Sequence, residues 1–248
     1  MIELKSDEEI KKIRKSCEIV KKVLNRLKEM ARSGLATIEF DREARKITSF
    51  YGAKPAFLNY RGYPASVCIS INNEVVHGIP SPDRILKDGD VVSIDFGVLY
   101  NGYYGDAAIT VPVGNITDNA SRLIEVTRQA LYKGIEKAKE GNKLFDISFA
   151  IQDYVEKNGF SVVRDFVGHG IGKKLHEEPM VPNYGKPGTG LELKNGMVLA
   201  IEPMVNEKGY EILILEDNWT VITKDNGLSA HFEHTVAITK NGPLILSD

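Results

Sequence analysis

Cysteine is scarce in this chain of 248 residues: Cys17 and Cys68 are the only two, too few for a disulfide framework or a thiolate-built zinc site. Charge of one sign is equally lacking. With 32 basic and 34 acidic residues the formal charge is −2, which removes the electrostatic case for a dedicated nucleic-acid or membrane binder, and no direct nucleic-acid motif is present. Long apolar runs are absent too, so no segment reads as a membrane span, and the start, MIELKSDEEIKKIRK, has charges where a signal peptide needs apolar residues. A cytoplasmic protein with reduced thiols is the expectation. At 42% hydrophobic and 27% charged residues, the composition is that of a globular chain able to bury a substantial core.

What is present centres on VVSIDFGVLYNGYYGDAAITV, Val91 to Val111. Asn101-Gly102 suits a two-residue type I′ turn, and both flanks alternate, which predicts a β-hairpin. Counting outward from that turn pairs Phe96 with Ala107, Ile94 with Ile109 and Val92 with Val111, giving one apolar face. On the other face Asp95 and Asp106 become diagonal neighbours, with backbones about 7–8 Å apart, and only Gly97 and Ala108 stand across from them. A solvated acidic face is the plain alternative. The apolar register matches at three successive pairs, however, so both acids are held to one space, where they repel unless cations intervene.

Along the chain, Ser6 and Glu9 form a capping-box signal ahead of a helix over 7 to about 32, and a second helix runs from about Ile38 to Tyr51. Thr117 can cap a third helix reaching about Glu140, and a fourth covers about Phe145 to Lys157. Strands follow each helix pair. LKDGDVVSIDFGV from Leu86 matches LKNGMVLAIEPMV from Leu193, so Asp95 corresponds to Glu202, 107 residues on, and Gly52 and Gly159 have the same separation. The repeat predicts one α+β catalytic domain over 1–248, made of pseudo-symmetric halves at roughly 5–112 and 113–248, each with paired helices and antiparallel strands.

That symmetry brings Glu202 to an equivalent strand position beside Asp95. A final strand over about Ala230 to Ile238 would put Phe232, His234, Val236 and Ile238 on one face and His231, Glu233 and Thr235 on the other. Glu233 is thus a fourth candidate acid, with Glu207, Glu211 and Glu216 as alternatives that periodicity leaves open. Of the five histidines, His169 stands in GHGIG, where glycines disfavour a helix and let backbone and ligands approach. His176, seven residues on, would face the other way in an extended strand. Carboxylates with an imidazole suit a two-ion site for Co²⁺, Mn²⁺, Fe²⁺ or Zn²⁺, whose ions, about 3.5–4 Å apart, activate water for hydrolysis.

These residues, in the order Asp95, Asp106, His169, Glu202, Glu233, with GYPASVCISINNEVVHGIP, GHGIGKKLHEEP and LAIEPMV, resemble the type I methionine aminopeptidases over about residues 3 to 246. The resemblance implies the pita-bread fold, those five residues as ligands of two divalent ions, and Asp106 and Glu233 as bridges. It implies His77, His176 and Glu202 as catalytic groups, the histidines on substrate and Glu202 as general base. It draws the methionine pocket from Phe57, Tyr60, Tyr63, Cys68, His77, Leu175, His176 and Trp219, with Phe57 where cysteine is common and Leu175 where phenylalanine is common. The substrate implied is the amino terminus of a peptide or nascent chain, with a small second residue, cleaved near the ribosome by a monomer.

Type II relatives carry a long insertion between the second histidine and the first glutamate of the site, and here only 26 positions separate His176 from Glu202. Two rivals stand beside this reading. A proline-specific aminopeptidase of the same fold commonly has an added amino-terminal domain, for which 248 residues leave no room. A non-catalytic pita-bread protein that binds peptides, RNA or proteins usually loses metal ligands, and all five positions are filled here.

Overall fold

The computed structural model describes residues 2–248. Helices α1 (Asp7–Met30) and α2 (Ile38–Phe50) lead into β1 (Lys54–Pro55), β2 (Cys68–Ile71), β3 (Glu74–Val76) and the long pair β4 (Val91–Tyr100) and β5 (Tyr103–Pro112). Then α3 (Asp118–Ile135) and α4 (Leu144–Lys157) precede β6 (Ser161–Val162), β7 (Gly168–Gly170), β8 (Glu177–Val181), β9 (Val198–Ile201) and β10 (Met204–Asn206). The chain closes with β11 (Ile212–Ile214), β12 (Val221–Thr223), β13 (Ser229–His231), β14 (Glu233–Thr239) and β15 (Gly242–Ile245).

Local chemistry explains the helices. Ser6 accepts from the Glu9 N–H while the Glu9 carboxylate accepts from the Ser6 N–H at 3.0 Å, so α1 starts with two of its free donors satisfied. Thr117 caps α3 through the Ala120 N–H. The glycines that follow the second helix of each half, Gly52 and Gly159, both turn left-handed, at φ 65° and 79°. Helix α3 ends at Ile135, short of the expected Glu140, because the chain tightens into three-residue turns (Ala138 N–H to Ile135 O, 2.9 Å) that bury Ala138.

The nine-stranded sheet runs β1-β4-β5-β14-β9-β7-β8, with β2 added on β4 and β15 on β14. Its hairpin has the register that the turn predicts: Val92 opposite Val111, Ile94 opposite Ile109, Phe96 opposite Ala107 and Asp95 opposite Ala108. Asn101 and Gly102 take φ 49° and 81°, as a type I′ turn requires. The apolar face packs on α1, where Val92, Ile94, Phe96 and Val98 share a buried cluster with Val20, Val23 and Leu24. A second cluster joins α3 and α4 to Leu199, Ile201, Val236 and Ile238. Burial of the apolar side against helices turns the polar side inward, towards a cavity.

Two strand expectations are corrected. The stretch around Ala230 to Ile238 is not one strand: it breaks at Phe232, β13 pairing with β10 in a small sheet and β14 joining the large one. Glu202 is not inside a strand equivalent to β4, because β9 ends at Ile201 and Pro203 follows, with no N–H for a ladder. The alternation survives the break, with Phe232 in the core cluster and His231 and Glu233 lining the cavity. Since Ile94 is fully buried beneath the acids, Ile94→Ala should cost about 2–5 kcal/mol in urea unfolding of the protein. A loss below about 1 kcal/mol, which is less than a well-packed core position forfeits, would show that α1 does not depend on the hairpin.

Candidate metal centre and substrate pocket

A cavity of about 290 Å³ opens between the polar side of the hairpin, the loop after β7 and the end of β9. Asp95 and Asp106 reach it from β4 and β5, Glu233 from the first position of β14, His169 from β7 and Glu202 from just beyond β9. Ligand atoms of Asp106, His169 and Glu233 all lie within 4.8 Å of one another. Glycines make this approach possible. A Cβ at Gly97 would sit 3.0 Å from Asp106 Oδ1 and 2.9 Å from the Phe57 ring, and one at Gly170 would meet the Glu178 carbonyl oxygen at 2.2 Å. Larger residues would push either acid or imidazole out of position.

The strands carrying the acids are knitted by hydroxyls. Ser93 and Thr110, paired across the hairpin, lie 2.8 Å apart, and Thr110 Oγ1 both donates to the His231 carbonyl (2.7 Å) and accepts from its N–H (2.9 Å). Thr235 Oγ1 does the same for Asp106, donating to its carbonyl at 2.7 Å and accepting from its N–H at 3.2 Å.

Electrostatics asks for a cation here. Asp95 Oδ1, Asp106 Oδ1 and Glu233 Oε1 are sealed from solvent without any hydrogen-bond donor, although an unpaired buried polar atom costs about 1–3 kcal/mol and more when charged. Burial raises all four carboxyls, Asp95 to about 7 and Glu202 to about 8. Asp106 and Glu233 go well above the ordinary value, by burial first and then by the neighbouring acids. Burial holds His169 neutral, its pKa down to about 3. The neutral ring can donate from Nδ1 to the Gly170 carbonyl (2.9 Å), which leaves Nε2 free as a ligand atom, 3.5 Å from Glu202 Oε1. Hard oxygen donors plus one imidazole nitrogen fit a divalent transition ion.

The eight pocket candidates line the same cavity. Tyr63, Cys68, Phe57 and Leu175 are buried, and Trp219 meets Tyr63 edge-on with ring centroids 5.1 Å apart. His77 stands between Phe166 and Trp219, edge-on to both, at a left-handed φ of 61°, and burial lowers its pKa to about 4. His176 stacks on Tyr60, whose hydroxyl is 2.8 Å from Nδ1. Contrary to the expectation of opposite faces, its ring centroid lies 4.2 Å from that of His169, because β7 ends at Gly170 and the loop before β8 folds the chain back. Of the alternative acids, Glu207, Glu211 and Glu216 do not line the cavity. Several lining residues, Arg61 and Phe166 among them, were not singled out from sequence, and the one nearest the acids is His231, buried, with Nε2 3.5 Å from Glu202 Oε2. Its alternation with Glu233 was the available signal.

With that geometry in place, comparison with known proteins is decisive. Residues 11–240 match the model of metallopeptidase family M24. The chain belongs to this family. Family M24 membership makes it a hydrolase dependent on divalent metal, and it has the pita-bread fold. Over 247 residues it is 56% identical to the methionine aminopeptidase of Clostridium perfringens, covering 100% of this chain and 99% of that one. Methionine aminopeptidase 1 of Bacillus subtilis is 51% identical over 247 residues, with the same coverage. The crystal structure of the methionine aminopeptidase of Thermotoga maritima superimposes with a TM-score of 0.99 at 45% identity, each chain covered in full.

Metal binding is therefore expected to raise the melting temperature of the purified protein, since ions that bind only the folded state stabilise it. Asp106→Asn should lose that rise and most of the bound metal. Full metal content in Asp106→Asn, by elemental analysis, would remove Asp106 from the ligand set.

Proposed function

We propose that the protein removes the amino-terminal methionine from peptides and nascent proteins, preferring a small second residue. The observation that carries this is the single cavity in which orphaned carboxyl oxygens adjoin a slot of Phe57, Tyr63, Cys68, Leu175 and Trp219. Relatives that share about half of the sequence over its whole length bear the name methionine aminopeptidase. On this reading the chain is one catalytic domain, and Asp95, Asp106, His169, Glu202 and Glu233 would hold two divalent ions. Four carboxylates balance two divalent charges. Cobalt, manganese, iron and zinc all suit the donor set.

Ions bound there supply Lewis acidity, polarising the scissile carbonyl and lowering the pKa of water from about 15.7 towards about 7. The protein's own groups do the rest. Glu202, at the cavity wall and ionised once cations are bound beside it, would take a proton from the attacking water on a carboxyl oxygen and return it to the departing amide nitrogen. His176 is neutral, because partial burial, with the Arg61 cation beyond, holds its pKa near 4. When the Tyr60 hydroxyl donates to Nδ1, the His176 proton sits on Nε2, where it would donate to the substrate carbonyl oxygen. His77, at the cavity wall between Phe166 and Trp219, would touch substrate as well. The slot takes an unbranched thioether against aromatic rings, whereas a charged first residue would be buried unpaired. Among the described residues no helix is long and apolar enough to cross a membrane. The same reading has a cytoplasmic monomer meeting chains as they leave the ribosome.

Two measurements test this reading. His176→Ala should lose kcat by about a hundred- to a thousandfold, the worth of one donor to a developing oxyanion, and keep its metals. Metal loss in step with kcat would make it a ligand. Among Met-Ala-Ser, Met-Lys-Ser, Leu-Ala-Ser and Ala-Pro-Ser peptides, Met-Ala-Ser should have the highest kcat/KM. Preference for Ala-Pro-Ser would place the protein on the proline-specific branch of the fold, and no turnover with metal bound would favour a binding role.

A further inference from the structure

The backbone of Asp106 has an unusual set of partners. Strand β14 pairs with β5 only at Glu233, opposite Ala108, and His234, opposite Ala107. From Val236 onward the same edge of β14 pairs with β15 instead. Thr235 stands at the changeover. Its N–H donates to Ser247 Oγ (3.1 Å) and its carbonyl accepts from Leu246 N–H (2.8 Å), so the end of the chain takes the ladder groups that Asp106 would otherwise use. The Thr235 hydroxyl replaces both, accepting from the Asp106 N–H and donating to the Asp106 carbonyl. Thr235 is fully buried, and Asp106 is 3% exposed, so water does not serve as a substitute.

We propose that Thr235 is a positioning residue, whose hydroxyl fixes the spacing between the Asp106 and Glu233 carboxylates and so sets the affinity of the metal centre. The inference rests on the metal-site reading above. Three features support it. Glu233 lies two residues before Thr235 and points to the same side of β14, so the hydroxyl and one carboxylate share a rigid strand, while the other carboxylate hangs from the backbone that the hydroxyl grips. Thr110 makes the matching clasp on the far side of the Glu233–Ala108 pair, holding His231. Asp106 Oδ1 has no protein donor, and the hydrogen bond that the carboxyl group does receive comes from the adjoining Ala107 N–H, so the local backbone that Thr235 grips sets where the carboxylate points. Thr235 touches neither ion nor substrate on this account. It acts through Asp106, as partners behind a ligand do, and such partners are worth about 10–100-fold in metal affinity.

The test is Mn²⁺ binding by calorimetry to metal-stripped protein, with Thr235→Val, Thr235→Ser and, as a reference for plain destabilisation, Thr127→Val. Thr127 is a fully buried threonine of α3 that donates to the Leu123 carbonyl at 2.7 Å, away from the cavity. Expected is a loss of about 10–100-fold in Mn²⁺ affinity for Thr235→Val, near-native affinity for Thr235→Ser and unchanged affinity for Thr127→Val at a temperature where every variant is folded. If Thr235→Val does not fold, Thr235→Cys, whose thiol is a weak donor, should fall well below Thr235→Ser. Native affinity in Thr235→Val or Thr235→Cys, or an equal loss in Thr127→Val, would overturn the proposal. Wild-type protein that takes up no Mn²⁺ would overturn both this and the metal-site reading, whereas metal uptake without methionine peptidase activity would leave this proposal to stand on its own affinities.

Discussion

Four carboxyl groups converge on one cavity with almost no protein donors to meet them, and the rest of the fold is arranged around that conflict. Two like charges about 4 Å apart repel by roughly 4 kcal/mol at an effective dielectric constant of about 20, and a folded protein of this kind has only about 5–15 kcal/mol in hand. Several such pairs left bare would use all of it. Proton uptake relieves the strain, as the raised carboxyl pKa values show, and divalent cations relieve it while leaving the acids as ligands. A cluster whose folded state is completed by metal is the physical content of membership in a metallopeptidase family.

Holding the acids there takes rigid support from both halves of the chain. Helix α1 clamps the apolar face of the hairpin, α3 and α4 clamp β9 and β14, and threonine hydroxyls join β5 to the last strands where backbone pairing gives out. Glycines at positions 97 and 170 keep free the space that side chains would fill. The histidines are neutral for the same reason that the acids are strained: a dry cavity disfavours every charge that lacks a partner.

Much of this was legible in the letters, for identifiable reasons. Asn101-Gly102 sets the turn, the turn sets the register, and the register puts Asp95 and Asp106 on one face, so short-range chemistry sufficed. The 107-residue repeat led to Glu202, though Pro203 stops the strand before the equivalence is complete. What was not legible depends on long-range geometry. Period-two counting assumes extended chain, and it failed where the loop after Gly170 folds His176 back onto His169. It also gave no warning of the break at Phe232, which arises because Ser229–His231 finds its partner in Met204–Asn206 rather than in the large sheet. The roles of Thr110 and Thr235 are invisible to any pattern, since a buried threonine on a strand reads as ordinary β structure.

The most direct test of the central claim is an anomalous difference map from crystals of the protein grown with Mn²⁺, recorded at a wavelength where manganese scatters anomalously. The account predicts two peaks inside the cavity, both within ligand distance of Asp106 and of Glu233, with His169 on one of them. A single peak, or peaks that leave either shared carboxylate without metal, would contradict it.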